Sequence, residues 1–240
     1  MKFNTNSNTY IIIYSVVMVV IVAVLLSLAA VGLMDRQDAN ALHETKTQIV
    51  KALGEDPATV AYDSVIAKAV ILDASGAVVS EDVNEVFAAL NDLKGSFAAE
   101  RFPLFVANNG VVAPLYGAGL WGPIWGYIAL DSDMNTVKGI VLDHAGETPG
   151  LGAEITTAKH QAMYPGKTIY EGDAIVGVTL KKGGADKSNP HEVDAITGGT
   201  KTSDGVTAMI SDCLNYYKPY FDAARAAATE VEAESNTVNE

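Results

Sequence analysis

Cysteine is almost missing: Cys213 is the only one in 240 residues. A lone thiol closes no internal disulfide, holds no iron–sulfur cluster by itself and cannot complete a zinc site of the usual kind. Set at helical spacing among Val206, Ile210, Leu214 and Tyr217, it reads as a small buried apolar residue. Basic clusters are missing too. The formal net charge is -13 and lysines and arginines are scattered, which excludes nucleic acid as a partner, because duplex binding depends on neutralising phosphates. No G-x-G-x-x-G follows a predicted strand with an acidic residue downstream, so the chain has no nicotinamide site of that type. No Ser-His-Asp or Glu-x-x-His spacing stands out, and no internal repeat shows.

Charge is absent altogether from residues 10–34, where Ile, Val, Leu, Met and Ala dominate. About 25 residues at ~1.5 Å rise exceed a hydrocarbon core of ~30 Å, so this is a membrane-spanning helix. A cleaved secretory signal has an apolar region of only about 7 to 15 residues. Lys2 on one side and Asp35 with Arg36 on the other give the positive-inside rule nothing to discriminate. No second run of spanning length follows, and the remainder lies on one side as a soluble domain. The expected organisation is an N-terminal tail (1–9), the span (10–34), a membrane-proximal helical and hairpin region (35–95), a binding domain (96–227) and an acidic disordered tail (228–240).

Beyond the span, Leu42, Ile49 and Leu53 followed by Gly54 predict a separate helix with a glycine stop. Residues 69–72 and 77–79 around Asp73-Ala74-Ser75-Gly76 read as a hairpin, and 82–93 as one helix. A second hairpin pairs 102–107 with 111–115 around Asn109-Gly110, the favoured turn pair. Residues 124–130 and 137–143 are paired strands, 156–163 a short helix, 168–170 and 174–180 strands. A final helix from Asp204 to about residue 227 contains Pro219, which kinks or divides it. The fold class is α+β: an antiparallel sheet packed against helices, behind one transmembrane helix.

The stretch from Asp194 to Gly205, Asp-Ala-Ile-Thr-Gly-Gly-Thr-Lys-Thr-Ser-Asp-Gly, opens that final helix with hydroxyls and glycines. Gly198 and Gly199 permit a close backbone approach or positive φ, and Ser203 or Asp204 can cap. Helix N-terminal N–H groups cradle a phosphate without any cation, although such a run is most often only a turn and a cap. Two more loops are unusual. Residues 116–127 pack four glycines among four aromatics, with Trp121 or Trp125 placed to cover something flat, or simply to fill the core. Residues 144–152, His-Ala-Gly-Glu-Thr-Pro-Gly-Leu-Gly, expose N–H groups, and Glu147 or Thr148 can hydrogen-bond the edge of a heterocycle. Lys181, in a basic turn, is placed to neutralise a phosphate or simply to be solvated.

Gly119-Leu120-Trp121-Gly122, Glu147-Thr148-Pro149-Gly150-Leu151-Gly152 and Asp194-Ala195-Ile196-Thr197-Gly198-Gly199-Thr200 occur in that order behind one span. Together they resemble the FMN-binding domain family, in particular the C subunits of the sodium-translocating NADH:quinone reductases; the G subunits of Rnf complexes are related members. The resemblance runs from the membrane helix to about Tyr217. It implies FMN held as a phosphoester on Thr200, the last residue of a motif Asp-x-x-(Ser/Thr)-Gly-Ala-Thr, attached by a separate flavin transferase that uses FAD. Asp194, Thr197 and Gly198 match the motif, whereas Gly199 stands where the family usually has alanine. Thr202 is a competing hydroxyl nearby. Trp121, Glu147, Thr148 and Leu151 are the expected ring contacts, Gly150 and Gly152 are further expected cofactor-binding residues, and Lys181 is expected near the phosphate. The implied role is a one-electron relay, without a catalytic residue or metal, in a sodium-pumping complex of the bacterial inner membrane, with the domain facing the periplasm. Other members of the complex are the implied partners. The alternatives are the Rnf-type protein and a non-redox membrane-anchored binding or assembly module.

Overall fold

The computed structural model describes residues 7–237, with side chains to residue 228. The chain divides into two compact units between Thr45 and Lys46. Helix α1 (Asn8–Ala52) is one continuous element, where the sequence predicts two. Residues 35–41 contain neither proline nor glycine, so nothing interrupts the ladder of backbone bonds after the apolar segment. The stop is at Gly54, as its glycine predicts: its φ is 80°, Gly54 N donates to Lys51 O at 2.9 Å and Glu55 N to Val50 O at 3.3 Å, the paired bonds of a left-handed helix end. In the first unit the apolar side chains of residues 10–34 are exposed along the helix, and its length and composition suffice to cross a membrane.

The second unit is built on a six-stranded antiparallel sheet. A short turn of helix, α2 (Tyr62–Val65), leads into β1 (Ile66–Leu72) and β2 (Val78–Ser80); α3 (Val83–Asn91) and α4 (Leu93–Ala98) follow. Then come β3 (Phe102–Ala107), β4 (Gly110–Ala118), β5 (Pro123–Leu130) and β6 (Val137–His144), and the spatial order is β2-β1-β3-β4-β5-β6. The helix expected over 82–93 is split, because Asp92 leaves helical geometry at φ -136° and its carboxylate accepts from Gly95 N, capping α4. Alternation along the strands sends successive side chains to opposite faces. Val70, Leu72, Leu104, Val111 and Ala113 join one apolar cluster, while Ala69, Ile71, Phe105 and Val112 join the other.

Against the second of these faces lie Ile49, Ala52 and Leu53 from the end of α1 and Val86 from α3. Against the first lies α6 (Thr200–Thr237), through Val206, Ile210, Cys213, Leu214, Tyr217 and Phe221. Buried Tyr217 fixes that helix to the sheet by donating its hydroxyl towards Pro103 O (3.0 Å) and Pro114 O (3.1 Å). The thiol of Cys213 donates to Tyr116 O at 3.3 Å; burial pushes its pKa up to about 12, so it is an inert packing group. Between β6 and α6 the chain forms a 3-10 turn (Gly152–Thr156), α5 (Ala158–Gln161), the pair β7 (Tyr170–Glu171) and β8 (Ala174–Ile175), and the parallel pair β9 (Thr179–Lys181) with β10 (Glu192–Asp194). The strand expected over 174–180 breaks at Gly177, whose φ of 68° leaves the extended region. Helix α6 starts four residues earlier than the sequence predicts and runs to Thr237, past residue 228 where the composition predicts a disordered acidic tail. Residues 238–240 of that tail, and residues 1–6 of the N-terminal one, lie outside those described.

Candidate functional site

The run from Asp194 to Thr200 is the link from β10 into α6. Lys181 O accepts from Ala195 N at 3.1 Å, continuing the ladder of β9 and β10 by one rung, and then the chain turns: Gly199 N donates to Ile196 O at 3.0 Å. Gly198 has φ 76°, a conformation that glycine adopts without strain. The first helical bond runs from Ser203 N to Gly199 O at 2.9 Å, making Gly199 the N-cap and Thr200 the first helical residue. Ser203, expected to cap, lies inside the first turn; its buried hydroxyl accepts from Ile196 N at 3.0 Å. The N–H groups of Thr200, Lys201 and Thr202 have no acceptor one turn back within the helix. They form the donor end of a 38-residue element.

The two threonines two residues apart differ sharply. Thr200 is half-buried, with surface open to solvent, whereas Thr202 is 1 % exposed and donates its hydroxyl to Glu147 Oε2 at 2.5 Å. Glu147 is itself 4 % exposed, and its other oxygen accepts from Trp121 N at 2.9 Å. One carboxylate thus ties together all three loops singled out in the sequence. Burial alone pulls its pKa up, yet the Thr202 hydroxyl, the N–H groups of Trp121 and Leu120 and the nearby His144 outweigh that and hold it below its ordinary value. Glu147 N donates to His144 Nδ1 at 3.2 Å. The glycines around the carboxylate are there for space. A Cβ on Gly119 would overlap Glu147 Oε1, and one on Gly152 would overlap Glu147 Oε2 and Thr202 Oγ1.

The other predicted residues divide. Thr148 is exposed, and its carbonyl accepts from Leu151 N (3.1 Å) and Ala153 N (3.2 Å), shaping the loop. Leu151 remains 43 % exposed and lies against Gly198, where a Cβ would come within 2.7 Å of its Cδ2. Trp121 is 69 % exposed. Gly150 has φ 75° with nothing within 4 Å of where a Cβ would stand. Asp194 Oδ1 accepts from Ala185 N at 2.7 Å, and Lys181 Nζ lies 3.4 Å from Glu192 Oε1.

A cavity of about 380 Å³ adjoins the link from β10 into α6, lined by Gly150, Thr197 and Asp194 from the predicted set and by Glu154, Lys159 and His160, which carry no sequence motif of a site. Thr200, Glu147 and Trp121 do not line it. Lys159 and His160 carry no motif; the only signal is their place in a short polar helix beside the 144–152 loop. His160 is 3 % exposed, its Nε2 lies 3.0 Å from the Tyr164 hydroxyl, and its Nδ1 has no partner among the described residues. Burial pushes its pKa down to about 4, so the ring is neutral.

Residues 119–215, which hold all of these loops, match the model of the FMN-binding domain family. Over a longer span the chain is 30% identical to the C subunit of the Na(+)-translocating NADH-quinone reductase of Pseudomonas aeruginosa, covering 96% of this chain and 99% of that one. The chain belongs to this C-subunit family. The member from Vibrio vulnificus is also 30% identical, over 77% of this chain and 82% of its own length. The crystal structure of the corresponding protein from Parabacteroides distasonis superposes with a TM-score of 0.72 at 34% identity, covering 79% of this chain and 96% of that one.

Proposed function

We propose that this C-subunit homologue is a membrane-anchored electron-transfer protein that carries FMN covalently, as a phosphoester on Thr200. The observation that carries the choice of residue is the contrast within one helical turn: Thr200 is open to solvent at the first helical position, while Thr202 is sealed and committed to Glu147. FMN fits the residues present. The N–H groups of Thr200 to Thr202, which have no acceptor within the helix, and the positive end of the α6 dipole stabilise a phosphate there. Glycine at positions 150 and 198 leaves the approach free of Cβ atoms, and the exposed side chains of Leu151 and Trp121 offer apolar surface to a flat ring.

Thr197, at the rim of the adjoining cavity, has a hydroxyl for the polar edge of the ring or its ribityl chain. Glu147 acts differently from a ring ligand: with both oxygens engaged, it positions the first turn of α6 against the two glycine loops. FMN, when attached, supplies reversible electron transfer, and the protein tunes it by burial and hydrogen bonding. Attachment proceeds by displacement, with FAD as donor on a separate flavin transferase. Thr200 Oγ would take the FMN phosphoryl group from FAD, with AMP as the leaving group.

The name borne by the relatives supports placing the chain, with its fellow subunits, in a sodium-pumping NADH:quinone oxidoreductase rather than an Rnf-type complex. The relay need not bind NADH or quinone itself. The periplasmic face of the inner membrane is the proposed location of the second unit. The test is a denaturing gel of membranes from cells that co-express the transferase, viewed under ultraviolet light. A fluorescent band at the mass of this chain, lost in Thr200→Val, supports the reading; fluorescence that survives Thr200→Val refutes the site. A dark wild-type band points to a non-redox binding module.

A further inference from the structure

Gly198 and Gly199 are adjacent but are glycine for different reasons. Gly198 has positive φ, whereas Gly199 does not, so any residue tolerates the backbone conformation at 199 and the constraint there is space. An ideal Cβ on Gly199 would stand 2.9 Å from Ile196 Cγ2, 3.1 Å from Ile196 Cβ and 3.3 Å from Gly152 N. Rotating the isoleucine about χ1 moves Cγ2 but not Cβ, so a rotamer change leaves the second contact in place.

Ile196 cannot retreat as a whole either. Its N–H is held by Ser203 Oγ at 3.0 Å and its carbonyl by Gly199 N at 3.0 Å, and its side chain packs against the main core. The strain from an added methyl therefore falls on residue 199. That residue is the N-cap of α6 and the covalent neighbour of Thr200.

We infer that Ile196 and Gly199 are a matched pair of positioning residues: the branched side chain of Ile196 fills the space of a residue-199 Cβ, and glycine at 199 lets the Thr200 hydroxyl sit where a phosphoryl group can be delivered to it. The inference rests on attachment at Thr200. Displacement of a reacting group by a fraction of an ångström up to about 1 Å is enough to slow a group transfer substantially. Gly199→Ala thus lowers the FMN attached in a fixed time by about ten-fold or more, and Ile196→Ala on top of it restores most of the loss, although Ile196→Ala removes core contacts and lowers the thermal midpoint.

The experiment co-expresses the full chain and these variants with the flavin transferase. It reads the fraction of chain mass carrying FMN, alongside the thermal midpoint of each flavin-free protein. Rescue of attachment in the double variant, against its lower midpoint, separates positioning from stability. Gly199→Ala labelled like wild type overturns the pair, as does a double variant that labels no better than Gly199→Ala. If Gly199→Ala fails to fold, the pair stands only if the double variant recovers both fold and attachment; otherwise it falls. Failure of the underlying reading is separately visible, as FMN retained by Thr200→Val.

Discussion

At the scale of single residues, the chemistry turns on which hydroxyls are free. Thr202 gives its only proton to Glu147 Oε2, so Thr202→Val leaves a buried carboxylate oxygen without its donor. The expected cost is about 1–3 kcal/mol, read as a fall in the thermal midpoint, with covalent flavin still present on Thr200. Loss of flavin with unchanged stability would mean that Thr202 is the attachment residue. His160 gives a second prediction. Its folded pKa of about 4 lies below the ordinary value of ~6.5, so the unfolded chain takes up a proton that the folded chain refuses. The folded state keeps this contribution above pH ~6.5 and loses it as the pH falls towards 4, by up to about 3 kcal/mol. Stability should therefore fall more steeply in acid for wild type than for His160→Phe across that window; parallel pH profiles would show that the ring is not buried neutral.

At the scale of elements, the site depends on how closely α6 passes β4. A Cβ on Gly205 would overlap the Ala118 carbonyl oxygen, so Gly205→Ala pushes the first turns of the helix off the sheet and away from Glu147. We expect a loss of roughly 1–3 kcal/mol together with reduced flavin attachment; a variant as stable as wild type would contradict the contact. The strands are legible in the sequence because alternation sorts Val70, Leu72 and Leu104 from Ala69, Ile71 and Phe105, and Asn109-Gly110 marks its turn. The start of α6 is harder to read because Ser203 and Asp204 look like caps, while the real N-cap is Gly199, which has no side chain to cap with and accepts the first helical bond through its carbonyl. The ion pair of Lys181 with Glu192 is invisible in the sequence because it arises from the parallel register of β9 and β10, which sets Lys181 beside Asp194, thirteen residues on. The cavity wall at Lys159 and His160 is invisible there for a related reason: folding alone brings it to Asp194 and Thr197.

At the scale of the whole molecule, an apolar helix and an acidic domain divide the labour of anchoring and of holding the cofactor. Both hydrophobic clusters lie within residues 46–240, so removing residues 1–45 should release a folded domain into the soluble fraction, whereas the full chain stays with the membrane until detergent is added. Sedimentation of the truncated chain with membranes would contradict that division. Added protease should digest the domain in intact spheroplasts, and protection would place it on the cytoplasmic side. The central claim, FMN on Thr200, is tested most directly by tryptic digestion and fragmentation of the full-length chain matured with the transferase. Cleavage after Lys187 and Lys201 yields a peptide containing Thr197 and Thr200 but not Thr202. This peptide should carry the mass of FMN less water, with fragment ions placing it on Thr200. The same mass on Thr197, or on the following peptide with Thr202, would contradict that claim.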